Sequence, residues 1–296
     1  MKQFIFKTLS FVGVLFSILI TSLLVLVLVN NQREKTALKI NTPIILMGDS
    51  HIENAINDGD KKFFTNISQN SESYYFSYYK LLKILQMNKE VKVVVLGVSY
   101  NNLVSSFDEY STGKYSYAIS SRYFSIMPFQ EKIQIVKNNL VDLPLFIKTL
   151  YKTLYSSLTV TPSYLGGYYN EFTGVAKIKS VNERINIVFY NKDGEVLNYS
   201  LHNLYYLQKI NDLCKQSNIS LVFISTPLHS LHKDKIPVNY LKKHQEIVNK
   251  SNRHLLDYSN LLEDAKYFMP DGDHVNKRGS ISTTNIFKSQ LNQILK

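Results

Sequence analysis

The 296-residue sequence predicts a three-layer α/β fold with a mainly parallel sheet, preceded by one transmembrane helix. Three observations carry that expectation. Short apolar runs alternate with longer segments of helical period, the pattern of a sheet covered by helices. The short runs are continuously apolar, as in strands buried on both faces. A long uncharged stretch stands apart at the front.

That stretch runs from Thr8 to Gln32 and is almost entirely apolar between Phe11 and Val29. About 25 uncharged residues can cross a hydrocarbon core of ~30 Å as a helix. Lys2 and Lys7 flank it on one side, and Arg33, Lys35 and Lys39 on the other. A cleaved signal has an apolar region of only about 7–15 residues followed by a small-residue site. Asn30-Asn31-Gln32-Arg33 offers no such site, so a retained anchor is expected. The lipid bilayer is then a partner through residues 8–32. A short tail before a large domain puts that domain outside the cytoplasm, in a single-pass arrangement.

Pro43 to Met47 reads as a buried strand, Gly48 as a turn, and His51 to Ile56 as a short helical segment. Phe63 to Ile67 reads as a second strand. Tyr75, Tyr78, Tyr79, Leu82 and Leu85 recur at helical spacing across Glu72 to Met87. Val91 to Val98 is a third strand. The region from Asn101 to Ser200 reads as an insertion, with helices near Phe129 to Asn138 and Leu145 to Leu158. Within it, Ile185 to Tyr190 reads as a strand leading into a tight turn at Asn191-Lys192-Asp193-Gly194. Its Tyr115, Tyr117, Tyr123, Tyr164, Tyr168 and Tyr169 offer flat surfaces for sugar rings or a partner, or pack the insertion onto the core. Alternation resumes with a helix through Leu204 to Leu213, a strand from Ile219 to Ser225, and a helix from Val238 to Asn249. A strand around His254 to Tyr258 and a final helix from Lys277 complete the chain. The organisation expected is an anchor and linker at 1–35 and one domain at 36–296, with an insertion at about 101–200.

Composition narrows the function classes. Cys214 is the only cysteine, which excludes an internal disulfide and a cysteine-based zinc cluster. The formal charge of +11 favours anionic surroundings such as lipid head groups or an acidic polymer. The basic residues are scattered and form no arm or recognition helix, so no nucleic-acid partner is expected. The Asn-x-Ser triplets at Asn66, Asn198, Asn218 and Asn249 are what chance yields in a chain this rich in both residues.

Two short blocks carry the chemistry. Gly48-Asp49-Ser50-His51 follows the first strand, and Asp271-Gly272-Asp273-His274 precedes the last helix. A serine hydroxyl needs a base to take its proton, and histidine serves near neutral pH when a carboxylate orients its ring. Ser50, His274 and Asp271 suit those three roles, with the Ser50 N–H as one oxyanion donor. Asp49 is read as a loop carboxylate accepting backbone N–H bonds, and Asp273 as a solvated or capping residue. His51 is a candidate for substrate contact. His229 and His232 follow the strand ending near Ser225 and would border the cleft, but they lack carboxylates at metal-ligand spacing. No metal and no cofactor are expected. His202, His244 and His254 are read as packing or surface residues.

The segment Ile44-Ile45-Leu46-Met47-Gly48-Asp49-Ser50 resembles the first block of the SGNH, or GDSL-type, hydrolase superfamily. Asp271-Gly272-Asp273-His274-Val275-Asn276-Lys277-Arg278-Gly279 resembles its last block. The G-x-S-x-G elbow of the α/β-hydrolases is absent, since Ile52 occupies the second glycine position. The SGNH resemblance implies a flavodoxin-like α/β/α fold, with Ser50 as nucleophile, His274 as base and Asp271 as its partner. The family's two middle blocks, which supply oxyanion donors, are altered here. The corresponding stretches are Asn66-Ile67-Ser68-Gln69-Asn70 and Gly97-Val98-Ser99-Tyr100-Asn101. Ser68 is expected to give a backbone N–H, and Ser99 or Asn101 to replace the missing side chain.

An anchor joined to Gly-Asp-Ser-His is similar to the acyltransferase-like branch associated with polysaccharide O-acetylation or cell-wall polymer modification. The expected function is therefore a membrane-anchored serine-dependent acyl-ester hydrolase or O-acyltransferase. Its substrate would be an acylated extracytoplasmic glycan or cell-envelope polymer, attacked through an acyl-Ser50 intermediate. The competing readings are a non-catalytic scaffold that partners a membrane acyltransferase, and a lipid-directed esterase.

Overall fold

A computed structural model describes residues 1–59, 62–160, 165–251 and 253–291, so Tyr164 lies outside the described residues. Helix α1 (Lys2–Ala37) leads into strand β1 (Ile44–Met47), helix α2 (Ser50–Ala55), strand β2 (Phe64–Asn66), helix α3 (Tyr74–Met87) and strand β3 (Val93–Gly97). Four helices follow: α4 (Ser116–Tyr123), α5 (Phe129–Asn138), α6 (Leu143–Ser156) and α7 (Ile178–Phe189). Helix α8 (Leu201–Gln216) returns the chain to β4 (Ser220–Ser225). The short α9 (Ser230–Lys233), α10 (Val238–Ser251), β5 (His254–Asp257) and α11 (Lys277–Ser289) complete it.

The five strands form one parallel sheet in the order β2-β1-β3-β4-β5. Successive side chains of a strand point to opposite faces, and the two faces are filled by different helices. Ile45, Met47, Val94, Leu96, Leu221 and Phe223 pack with α3 and α8. Ile44, Leu46, Val93, Val95, Val222 and Ile224 pack with Ile52 of α2 and Phe287 of α11. Burial on both faces explains why these strands read as unbroken apolar runs. The chain leaves β1 toward β2 on one side and returns through β3 on the other. That reversal opens a crevice at the carboxyl ends of β1 and β3, where sheets of this type bind ligands.

Among the described residues, 101–200 contribute no strand to the sheet. The strand expected at Ile185 to Tyr190 is instead the end of α7. Val181, Ile185, Val188 and Phe189 recur at helical spacing and bury against Leu103, Leu228 and Tyr240. The period of 3.6 is visible only when Val181 is counted with them. The turn after it is present: Gly194 N–H donates to Asn191 O at 3.1 Å, and Tyr190 bridges Val196.

Helix α1 is long and apolar enough to cross a membrane, and residues such as Phe4, Phe11 and Phe16 are exposed along it. Its inner end is packed. Leu26 is buried in the core, and Asn30 Nδ2 donates to Leu154 O of α6 at 3.0 Å. A cut at residue 35 would therefore remove side chains that the folded domain uses.

Candidate active site

Glycine at two positions lets the nucleophile turn form. Gly48 has φ of +152°, and a Cβ there would lie 2.9 Å from Ile52 Cγ1. A Cβ on Gly97, at the end of the neighbouring strand, would lie 2.5 Å from the same atom. Ile52 thus seats α2 against β1 and β3, which is why it stands where an elbow glycine would be. Asp49 caps α2 by accepting the His51 N–H at 3.0 Å. Ser50 opens the helix at the crevice, its backbone N–H in the first turn and without an intrahelical acceptor.

The late block folds over this point. Asp271 Oδ1 accepts the N–H groups of Asp273 and His274 at 3.0 and 3.2 Å. Its Oδ2 lies 2.8 Å from His274 Nδ1, and His274 Nε2 lies 2.8 Å from Ser50 Oγ. The three residues, 224 apart in sequence between Ser50 and His274, form one continuous hydrogen-bonded line. Burial acts to raise the Asp271 pKa, but the neighbouring His274 outweighs it and holds the carboxyl below its usual value. All three residues line a cleft of about 710 Å³.

A second histidine lies directly behind the first. The His51 and His274 rings stack with centroids 4.5 Å apart. His51 Nδ1 meets Asp49 Oδ1 at 3.0 Å, and its Nε2 meets Asp273 Oδ1 at 2.9 Å. Burial alone would lower the His51 pKa; the two carboxylates overcome it and push the value up to about 10. Both ring nitrogens therefore carry protons and donate. Asp49 and Asp273 are likewise buried, which would raise their pKa values, yet their cationic neighbours hold both below the ordinary range.

Asp273 is the hub of this network rather than a solvated or capping residue. It is 2 % exposed and also accepts Asn101 Nδ2 at 2.9 Å and Arg184 Nε at 2.8 Å. His232 Nε2 lies 3.3 Å from it. His51, Asp273 and His274 place ligand-type atoms within 4.8 Å of one another. Both nitrogens of each histidine already face protein oxygens, so the donor set fits a hydrogen-bond network better than an ion.

The remaining expectations divide. Asn101 lines the cleft, and its amide has a second N–H beyond the one given to Asp273. Ser99 does not line it; its hydroxyl donates to Asp49 Oδ2 at 2.7 Å. Ser68 is fully buried and its N–H is spent on Asn66 Oδ1 at 2.9 Å, because the Asn side chain closes a local turn. His51 also lies behind the cleft wall and touches no cleft space, for both of its nitrogens are drawn to buried carboxylates. His229 and His232 do not border it either. His229 caps α9, and His232 is buried beside Asp273.

Sequence reasoning missed Glu53 and Arg184. Glu53 lies one turn after Ser50 and faces the same cleft. Burial pushes its carboxyl up to about 7, against the opposing pull of the Asn70 N–H and Arg122. The i, i+3 spacing from Ser50 could have revealed it. Arg184 comes from α7, and reading Ile185 to Tyr190 as a strand left it outside any expected element. Of the tyrosines singled out in the insertion, Tyr115 and Tyr169 line the cleft, and Tyr110 joins them. Tyr123 is instead buried with its hydroxyl on Glu72, and the Tyr168 hydroxyl accepts from Ser280.

Fold and site together define a class: an α/β protein with a Ser–His–Asp line at the carboxyl edge of a parallel sheet. No protein family matches the chain, and no curated protein does. Among solved structures, it is similar to a GDSL-like lipase from Bacteroides thetaiotaomicron, at 10% identity, covering 89% of this chain and 98% of that one with a TM-score of 0.42. It is also similar to a protein assigned as an acylhydrolase from Bacteroides fragilis, at 10% identity, with 90% and 97% covered and a TM-score of 0.40. Overlaps this distant leave the chemistry to the chain's own residues.

Proposed function

We propose that the chain is a membrane-anchored serine-dependent acyl-ester hydrolase or O-acyltransferase that works through an acyl-Ser50 intermediate. The observation that carries this is the pair of 2.8 Å contacts joining Ser50 Oγ, His274 and Asp271 in an open cleft. Ser50 Oγ attacks the ester carbonyl and gives its proton to His274 Nε2. Asp271 holds the ring so that Nε2 faces the serine, and offsets the charge that forms on it. The oxyanion meets the Ser50 N–H and the free N–H of Asn101. On collapse, the C–O bond to the alcohol breaks and His274 protonates the leaving oxygen. Water or a sugar hydroxyl then gives a proton to His274 as it attacks the acyl carbon; the bond from that carbon to Ser50 Oγ breaks, and His274 returns the proton to Oγ.

An acylated glycan or cell-envelope polymer is the proposed substrate, with the domain outside the cytoplasm. Tyr115, Tyr169 and Phe172 give the cleft flat apolar faces that suit sugar rings. A membrane acyltransferase that delivers the acyl group is the proposed partner in the transfer reaction. A fluorophosphonate probe on the full chain tests the nucleophile. Labelling of the protein and loss of label in Ser50→Ala are expected. An unlabelled protein with an intact melt would favour the scaffold reading. Release of free acid versus acylation of an added oligosaccharide then separates hydrolysis from transfer.

A further inference from the structure

Helix α6 does not sit apart from the apolar front of α1 but runs beside it. Asn30 of α1 contacts Leu154 and Ser157 near the end of α6, and Arg33 Nη2 reaches Val160 O at 3.5 Å. Eleven residues earlier on α1, Leu19 shares a mostly apolar groove with Leu143, Pro144, Ile147, Lys148 and Tyr151 in the first part of α6. The two helices thus run in the same direction, and the α5–α6 turn points back along α1 toward its N-terminal end.

That placement meets a constraint from length. A span of about 20 residues can be positioned anywhere within the uncharged run 8–32, and every such position contains Leu19. At ~1.5 Å per residue, Leu19 then lies roughly 12–20 Å below the domain-side end of the span. Side chains that share a groove with Leu19 lie in the same layer. The α5–α6 turn is built for it: Leu140 is 58% exposed, Val141 95% and Leu145 41%. Exposed apolar clusters of this kind are costly in water and mark a contact surface. Lys148 lines the same groove, so its long stem must carry its charge toward the head groups, as must that of Lys152 one turn further along α6. Asp142 is the opposing feature, since a carboxylate is costly in hydrocarbon, and the depth of the turn reflects that balance.

We propose that the α5–α6 turn, Leu140 to Leu145, inserts into the bilayer leaflet on the domain's side, next to α1. The proposal rests on the reading of α1 as a membrane anchor. A single helix leaves a domain free to swing, whereas two adjacent membrane contacts set its tilt and the direction in which the Ser50 cleft opens.

The chain contains no tryptophan, so one introduced Trp is a unique reporter. Val141→Trp, Leu15→Trp in α1 and Val238→Trp on α10, each in the full chain, are reconstituted into phosphatidylcholine–phosphatidylglycerol vesicles carrying acyl-chain-brominated lipid. Val141→Trp is expected to show blue-shifted emission and quenching approaching that of Leu15→Trp, with Val238→Trp unquenched. Leu140→Trp, at the adjacent exposed position, is expected to match Val141→Trp and guards against a local folding fault. If both turn reporters behave like Val238→Trp while Leu15→Trp is quenched, the insertion is refuted and the anchor stands. If Leu15→Trp is also unquenched, the anchor reading fails and takes the insertion with it.

Discussion

The molecule holds two histidine–carboxylate systems whose rings stack 4.5 Å apart, and they differ in what surrounds each ring. His274 faces one carboxylate, Asp271, and one hydroxyl, Ser50, at the cleft. His51 faces two carboxylates, Asp49 and Asp273, with no access to the cleft. A general base needs a nitrogen lone pair aimed at the proton it removes. His51 has none to offer, because both nitrogens are committed to donating. Two histidines in contact are thus suited to different tasks according to the number of buried anions beside them. The inner system fixes the loops that carry the outer one, since Asp49 adjoins Ser50 and Asp273 lies between Asp271 and His274.

The largest expected effect separates the two systems by activity. Ser50→Ala and His274→Ala are each expected to lower acyl-ester turnover by at least about three orders of magnitude while melting normally. Groups that act as a unit do not add, so the double variant should be hardly worse than either single one. Full activity in Ser50→Ala would end the covalent mechanism.

The inner system should fail differently. His51→Ala leaves buried Asp49 without its counter-charge and Asp273 with Arg184 as its remaining cation, and a loss of about 3–5 kcal/mol is expected in urea unfolding. Asp273→Asn should cost less, since its amide oxygen still accepts one of the bonds. Asp271→Asn should instead cost activity, though less than His274→Ala, through loss of ring orientation. Were Asp273→Asn the more damaging to turnover with stability unchanged, the division drawn between the two carboxylates would be reversed.

Stability should depend on pH on both sides of neutrality. The folded His51 pKa of about 10 exceeds its unfolded value of 6.5, so its contribution is complete below 6.5 and is lost as pH rises toward 10. Asp49 and Asp273 have folded values below 3.8; their contribution is present above 3.8 and is lost as pH falls through their folded values. Unfolding midpoints across pH 3 to 10 measure both limbs, in units of about 1.4 kcal/mol per tenfold change in equilibrium. His51→Gln should flatten the alkaline one.

The smallest effect concerns Glu53, whose carboxyl titrates at about 7 in the same cleft as Ser50. Its ionisation adds a negative charge near the developing oxyanion, so turnover should fall a few-fold as pH rises through 7. Glu53→Gln is expected to remove that inflection from the pH–rate profile and leave the melt unchanged.

Much of this was legible before folding. Buried parallel strands must be apolar on both faces, so Ile44 to Met47 and Val93 to Leu96 declare themselves by composition. The Gly-Asp-Ser and Asp-x-x-His blocks stand out because each follows or precedes a regular element. Local capping also explains Asp49, which accepts the backbone N–H two residues on. What sequence by itself determined, then, is the strand–helix alternation, the apolar front helix and the three residues of the outer line. Tertiary structure alone decided which neighbouring polar groups are buried together. Asp273 looks like a loop residue, and His51 like a substrate contact, until Arg184 and Asn101, from separate parts of the chain, converge with His51 on the same carboxylate. Ser68 looks like an oxyanion donor until Asn66 takes its N–H. Spacing along a chain reports what one element does with its own backbone; the partners of a buried charge are set by elements distant in sequence, and only packing brings them within 3 Å.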